Sequence, residues 1–450
     1  MDSRFRGNDS FGVVTGIHAS HSLTLLTPHT LSDWLRWIEA VHPRSIELGL
    51  DRVHAVLDAM RLRQPPFRVI TVGGTNGKGS TVAMCDTVLR AGGYRVGAYT
   101  SPHLIRYNER VHVAGVPATD AELCAAFARV EAARGDIKLT YFEFGTLAAL
   151  DIFRARNVDI AVLEVGMGGR LDAVNGVDAD VAVVTSVGID HTAWLGPDRE
   201  SIGHEKAGIF RSGRPAICGD PAPPASLVES AARAGARFYR YGHDFSAAPL
   251  ESGGWLFRLG ERSRAALPYP ALRGEHQARN AACALTALSL LDGFPLSQQQ
   301  IREGLHAVSV PGRFQVLPGM PAVILDVAHN TQAAEALAAN LQGHRGPIGR
   351  TLAVFGMLTD KSIADVARAL AGQIDAWSVA SLAGPRGASA EQVAQALAQA
   401  GVSVPVTLFP NAVAAFEATR AQAAPPDRIV VFGSFYMVGD ILAHLNVSPA

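Results

Sequence analysis

At 450 residues the chain exceeds one ordinary core, and roughly 150 residues per domain gives two or three domains. Hydrophobic residues make up 48% and charged residues 18%, which excludes wholesale disorder. Forty basic residues against 41 acidic ones leave a net charge of −1, which argues against a nucleic-acid or anionic-membrane binder held by bulk charge.

At the N-terminus, Arg4 and Arg6 precede an apolar stretch over 11–17 that Gly12, Thr15 and Gly16 interrupt, a poor signal peptide. No run approaches the ~18 apolar residues of a membrane span. The expectation is a cytoplasmic protein whose residues 1–22 form a dispensable extension. From residue 67 short β-branched runs alternate with longer helical stretches. Strands are predicted over 68–72, 94–99, 159–165, 181–187 and 215–218, and helices over 80–90, 122–133 and 142–156. Uninterrupted apolar strands between amphipathic helices predict a parallel sheet covered on both faces. After Tyr241, short pieces rich in Gly and Pro predict a small antiparallel excursion, followed by an alanine-rich helix over 277–291. Near Val310-Pro311-Gly312 the pattern resets, and strands over 323–327, 351–355, 376–380, 406–409 and 429–432 alternate with helices again. The fold class is therefore α/β: a P-loop parallel-sheet domain over 23–310 and a smaller doubly wound α/β, Rossmann-like domain over 311–450. Ligands of such sheets sit beyond the carboxyl ends of the strands, so a cleft between the domains is the expected site.

Cys85, Cys124, Cys218 and Cys283 stand far apart with no paired spacing, so buried free thiols are expected rather than a disulfide framework or a zinc site. Of the 40 basic residues only Lys78, Lys138, Lys206 and Lys361 are lysine. In so arginine-rich a chain, a retained lysine points to a need for a compact, titratable amine. Lys138 has no suggestive setting.

The sharpest local signal is Val-Ile-Thr-Val-Gly-Gly-Thr-Asn-Gly-Lys-Gly-Ser over 69–80, running from strand through loop into helix. Glycines let backbone amides turn inward around phosphate oxygens, and the helix presents its positive N-terminus to them. Thr75, Asn76, Gly77, Lys78, Gly79 and Ser80 are the candidate nucleotide contacts, with Lys78 reaching the terminal phosphates. Gly79 separates the lysine from the hydroxyl residue, unlike the common Gly-Lys-Ser/Thr ending. Ser101 closes the second strand, where a plain serine–proline turn is the alternative. Glu164 is an acid inside an apolar strand, costly unless it meets a cation, either Mg²⁺ or an arginine. His191 follows the fourth strand, as a metal ligand or as a structural hydrogen-bonder. Glu205-Lys206-Ala207-Gly208 is read as the opening of a helical stretch.

With these residues in hand, the chain resembles the folylpolyglutamate synthase family of the Mur ligase superfamily, and most closely its bacterial members that also act as dihydrofolate synthases. The resemblance spans roughly 31 to the C-terminus. It rests on ordered motifs: GTNGKGS at 74–80, TSPHL at 100–104, YFEFGT at 141–146, EVGMGGRLDAVN at 164–175, DHT at 190–192 and ESIGHEKAGIF at 200–210. NAA at 280–282, PGRFQ at 311–315, DVAHN at 326–330, GMLTDK at 356–361 and FGSFY at 432–436 continue it.

The resemblance implies that ATP phosphorylates a pteroate or folate carboxylate and that the amine of L-glutamate captures the acyl phosphate. It further implies two Mg²⁺ ions, one on Ser101 and Glu164 and one on His191, and a lysine carbamylated by CO₂ at Lys206. Asn280, Arg313 and Asp326 match ATP-contacting positions. Ile46, Glu47, Leu48, Thr140, Phe142, Leu171, Asp172 and Ala173 match pteroate contacts. The implied partners are dihydropteroate, reduced folates and L-glutamate, with no nucleic acid and no membrane, and the chain is expected to be a monomer. Thr331 and Ala193 depart from the family, which commonly has proline and aspartate there. The competing readings are another Mur-type amino-acid ligase and a P-loop nucleotide switch; the TYFE and GGRLDA segments speak against the first, and the glycine-rich loop after Glu164 against the second.

Overall fold

Val69 and the neighbouring Ile70 and Val72 are all buried but pack into different cores, as alternation along a strand covered on both faces requires. A computed structural model describes residues 28–42, 44, 46–343 and 349–447; the extension expected over 1–22 lies outside the described residues. Eight strands form the first sheet among them: β1 (Arg68–Gly73), β2 (Val96–Tyr99), β3 (Val111–Val113), β4 (Val116–Pro117), β5 (Ile160–Glu164), β6 (Val181–Val184), β7 (Pro215–Cys218) and β8 (Arg237–Arg240). Their order is β4-β3-β2-β5-β1-β6-β7-β8. The pairs from β2 across to β8 are parallel, while β3 and β4 add an antiparallel edge. That edge is absent from the sequence-based expectation, because strands of three and two residues carry no readable period.

One face of this sheet is covered by the helices Leu31–Val41, Asp51–Ala59, Asp120–Arg134 and Tyr141–Ala155. Thr30 starts the first of them through a reciprocal cap with Asp33. The helices Lys78–Ala91, His276–Leu290 and Gln298–Ala307 cover the other face. Alanines explain the close approach there: Ala281, Ala282, Ala284 and Ala287 are fully buried. The antiparallel excursion expected after Tyr241 is a three-stranded sheet of β9 (Phe245–Pro249), β10 (Trp255–Leu259) and β11 (Arg262–Leu267).

The second sheet contains β12 (Gln315–Leu317), β13 (Ala322–Leu325), β14 (Thr351–Phe355), β15 (Ala376–Ala380), β16 (Val406–Phe409) and β17 (Arg428–Phe432), in the order β12-β13-β17-β14-β15-β16. It is parallel apart from β12, which runs antiparallel to β13. Two cores flank it, with Ala353 and Phe355 on one side and Val354 on the other. Cys85, Cys218 and Cys283 are buried free thiols, Cys124 a partly buried one. No helix among the described residues is long and apolar enough to cross a membrane.

One expected element is corrected. Lys206 does not open a helix but nearly closes one, Arg199–Ala207, which Asp198 caps through a bond from the Ser201 amide. The capping aspartate, eight residues upstream, is the true start signal.

Candidate active site

The carboxyl ends of β1, β2, β5 and β6 open on a cavity of about 720 Å³ that residues of the second domain close from the opposite side. The phosphate-type loop leaves β1 and enters the helix Lys78–Ala91. Gly74 has φ +141 and a Cβ there would lie 1.9 Å from Thr185 Oγ1; Gly77 has φ +88 and a Cβ there would lie 2.6 Å from Asn280 Oδ1. Only glycine fits either backbone. The loop is stitched to the segment after β6: Asn76 N donates to Ser186 Oγ (3.0 Å), Gly188 N donates to Thr75 Oγ1 (2.9 Å) and Thr185 Oγ1 donates to Asn76 O (2.6 Å). The first-turn amides around Gly79 and Ser80 have no acceptor within their own helix, which leaves them for an anion. Lys78 Nζ folds onto the loop carbonyls of Gly74 and Thr75, each at 3.1 Å, and burial lowers its pKa.

Glu164 ends β5 next to this loop. It is buried, and burial raises its pKa against the charges of Lys78 and Arg313. Its Oε2 accepts from Ser101 N (3.1 Å), and a Cβ on Gly79 would lie 3.5 Å from the same oxygen. Among the described residues no arginine forms an ion pair with it, and both carboxylate oxygens lie within 4 Å of a Cβ built on Gly79, so they face the loop. Among the described residues no three His, Cys, Asp or Glu side chains gather into a metal cluster. A serine hydroxyl and one carboxylate beside a phosphate loop instead match Mg²⁺, which keeps water and phosphate oxygens as most of its ligands. His191 lines the cavity at φ +52, with its pKa lowered to about 4 by burial, partly opposed by Asp190.

Lys206 is 3% exposed and also lines the cavity. Burial, reinforced by the Lys78 charge, lowers its amine to about 7 against the pull of Asp190 and Asp172. It makes no ion pair with Glu205, which pairs with Arg170 at 2.8 Å. Lys138, the lysine without a setting, is exposed.

Around the other end of the cavity stand Ile46, Glu47, Leu48, Thr140, Phe142, Leu171, Asp172 and Ala173. Arg52 fixes the 46–48 segment by bonding Glu47 (2.7 Å) and Glu143 (2.9 Å) together. Thr140 caps the helix Tyr141–Ala155. The Phe142 ring fills the space a side chain at Gly166 would take, 2.7 Å from the built Cβ. Asp172 is buried with its pKa raised to about 7; its oxygens accept from Met167 N (2.9 Å) and Val174 N (3.0 Å).

The second domain brings Arg313 and Asp326 to the same cavity, and Asn280 reaches it from the first. Arg313 lies over the Phe435 ring at 5.2 Å, and Asp326 accepts from Phe314 N and Ala328 N, each at 2.8 Å. Gly433, Ser434, Phe435 and Tyr436 of the FGSFY segment line it too.

Three features were not read from the sequence. Asn76 and Asn330 exchange side-chain amide bonds across the cleft at 3.1 and 3.0 Å, and Gln332 accepts another from Asn76 at 2.8 Å. Asp190 accepts from Lys361 Nζ at 2.6 Å and from Asn330 at 3.2 Å. Arg110, beside His103 and three tyrosines, lines the wall near Ser101. The lysine scarcity flagged Lys361 and the glycine-rich loop flagged Asn76, but nothing local paired either with its partner across the cleft, and nothing flagged Arg110.

Family models match the chain in two blocks: the Mur ligase middle domain over residues 72–288 and the Mur ligase glutamate ligase domain over 312–435. The dihydrofolate synthase/folylpolyglutamate synthase of Escherichia coli K12 is 46% identical over 412 residues, covering 92% of this chain and 94% of that protein. Its Haemophilus influenzae counterpart is 36% identical, covering 94% and 99%. Among solved structures, the Escherichia coli enzyme with DHPP and ADP superposes with a TM-score of 0.88 at 44% identity, covering 93% of this chain and 98% of that one. A bifunctional folylpolyglutamate synthase/dihydrofolate synthase with Mn, AMPPNP and L-glutamate bound gives 0.87 at 46%, covering 94% and 100%.

Proposed function

The chain belongs to the Mur ligase family, among its dihydrofolate synthase/folylpolyglutamate synthases, and from that premise we propose how its own residues divide the work of an ATP-dependent amide ligase. The enzyme adds L-glutamate to dihydropteroate and to folates through an acyl phosphate. A carboxylate resists amines until one oxygen becomes a phosphate leaving group. The observation that carries this reading is the meeting, in one cavity, of the phosphate loop, Glu164, Lys206 and the second-domain Arg313 and Asp326.

In this reading Thr75 to Ser80 wrap the phosphates, Lys78 unfolds from its loop carbonyls onto the terminal phosphate, and Arg313 meets the charge that develops as the phosphoryl group moves. Asn280 and Asp326 hold the rest of the nucleotide. Ile46, Leu48, Phe142, Leu171 and Ala173 sandwich the pterin. Glu47, Thr140 and Asp172 hydrogen-bond its edge. Ser101 and Glu164 would hold one Mg²⁺ and His191 a second, neutralising phosphate charge during transfer. The neutral form of the Lys206 amine adds to CO₂: an N–C bond forms, one amine proton passes to solvent, and a neutral amine becomes an anion that would suit metal. Arginine offers no neutral amine for this step.

The motif reset and the family-model blocks support a division at about residue 310, and the near-zero net charge supports a protein that works on small molecules without nucleic acid; a cytoplasmic monomer is part of the same proposal. A nucleotide switch is not favoured. The test is an assay of purified protein with ATP, Mg²⁺ and labelled glutamate, comparing dihydropteroate with tetrahydrofolate. Phosphate release is expected to require both acceptor and glutamate; robust release with neither would overturn the reading.

A further inference from the structure

We propose that Arg110 binds a non-reacting carboxylate of a glutamyl unit, either that of the incoming amino acid or that already carried by a folate acceptor. The inference rests on the ligase reading above and names the group that recognises the amino-acid part of its substrates.

Arg110 is 9% exposed, and among the described residues no carboxylate pairs with it directly, although its charge acts on Glu164 through space and helps hold that carboxyl down. Its surroundings are aromatic: the guanidinium carbon lies 5.3 Å from the Tyr107 ring centroid and 5.5 Å from that of Tyr141, with Tyr99 beside it. Nε donates to His103 Nδ1 at 2.9 Å. These contacts, with a hydrogen bond to the Tyr99 hydroxyl, fix the plane of the guanidinium, while the side chain lines the main cavity. A sequestered guanidinium with no carboxylate hydrogen-bonded to it has donors left for one more anion, and a planar fork held in place suits a carboxylate.

The position separates this anion from the nucleotide. Arg110 immediately precedes β3, and its carbonyl accepts from Thr100 N at 2.9 Å, at the end of β2. Three strand spacings, β3-β2-β5-β1, part its backbone from that of the phosphate loop, roughly 14 Å at the usual spacing, and the guanidinium stays on the far side of Glu164 from the loop in strand order. Glu164 on β5 stands between them and is already engaged with Ser101 N. The reacting acyl group belongs on the phosphate side of Glu164, so the anion at Arg110 is a different carboxylate. Dihydropteroate has only the reacting one, which leaves the glutamyl unit as its source.

The experiment measures KM for L-glutamate and for each acceptor in Arg110→Gln and Arg110→Lys, with ADP affinity as an independent measure of the fold. A KM for L-glutamate raised about 10- to 100-fold with both acceptors, the loss expected for one charge-assisted bond, assigns the carboxylate to the incoming amino acid. A rise of that size confined to the KM for tetrahydrofolate assigns it to the acceptor. Either supports the proposal, with Arg110→Lys the milder variant. Unchanged KM values in a variant that binds ADP normally would overturn it, and so would a parallel loss of ADP affinity, which marks Arg110 as scaffold. Failure of the wild-type enzyme to ligate glutamate to any acceptor would instead strike the ligase reading.

Discussion

Lys361 of the second domain places its Nζ 2.6 Å from Asp190 Oδ1 of the first, with side chains only 7% and 10% exposed. Burial pushes the Asp190 carboxyl up, but the charges of His191 and Lys361 prevail and hold it well below the ordinary carboxylate range. The pair is a buried ionic contact between the domains, and His329 and Asn330 crowd the same carboxylate.

Lys361→Met is therefore expected to strand a buried carboxylate at the interface. Removing one partner of such a pair costs about 3–5 kcal/mol. Small-angle scattering should report a larger radius of gyration than wild type, and nucleotide affinity should fall. The sign of the pH effect follows from the lowered Asp190 pKa. Its contribution is fully present above about pH 4 and is lost as the pH falls below that value. Wild-type closure should weaken on acidification through this range, and Lys361→Met should respond less.

Lys78→Ala removes the ammonium that rests on Gly74 O and Thr75 O and would turn to the terminal phosphate. Loss of one preorganised charge donor typically lowers kcat by about 10²–10³. Phosphate release with dihydropteroate and glutamate should drop by that factor while the far-ultraviolet dichroism stays that of wild type. Near-normal turnover contradicts the assignment of this loop.

Lys206 distinguishes a carbamate from a simple cation. Lys206→Ala should be inactive and regain part of its rate with a short carboxylate added to the buffer, whereas Lys206→Arg should stay inactive. The amine has a pKa of about 7, so its neutral, CO₂-reactive form dominates above that pH and disappears below it. Activity should fall as the pH drops through 7, and ¹³CO₂ should give a carbamate carbon signal in wild type. Full activity of Lys206→Arg would sink the carbamate.

Asp172→Asn keeps the shape of a residue whose two oxygens accept backbone amides from Met167 and Val174, but turns an amide donor toward one of them. A destabilisation of about 1–3 kcal/mol is expected in denaturant unfolding. Because burial raises the wild-type carboxyl to about 7, its contribution is fully present below about pH 4 and is lost as the pH rises through 7. The gap between the two proteins should narrow over that interval.

Continuous apolar runs such as 181–184 and the glycine-rich turn after β1 were legible because each rests on local chemistry: burial on both faces and left-handed backbone. The three-residue β12 and the β3-β4 edge were not, since so few residues show no alternation. The helix that carries Lys206 begins at the Asp198 cap, a signal eight residues upstream and outside the Glu-Lys-Ala-Gly run itself. The lysine scarcity singled out Lys361, but its partner Asp190 lies 171 positions away and no local pattern encodes that distance. Arg110 is one arginine among many, and its burial against the Tyr107 and Tyr141 rings at the cavity wall, a property of the folded chain, is what sets it apart.

Asn76 belongs to the loop that would hold the fuel, and its side chain is bonded to Asn330 and Gln332 on the opposite lobe. On the proposed division of roles, gripping the triphosphate and shutting the chamber would be one mechanical event. Parting the lobes would take the brace from the loop and draw Arg313 out of the cavity together, so a hinge, and not a separate latch, would separate productive transfer from idle hydrolysis.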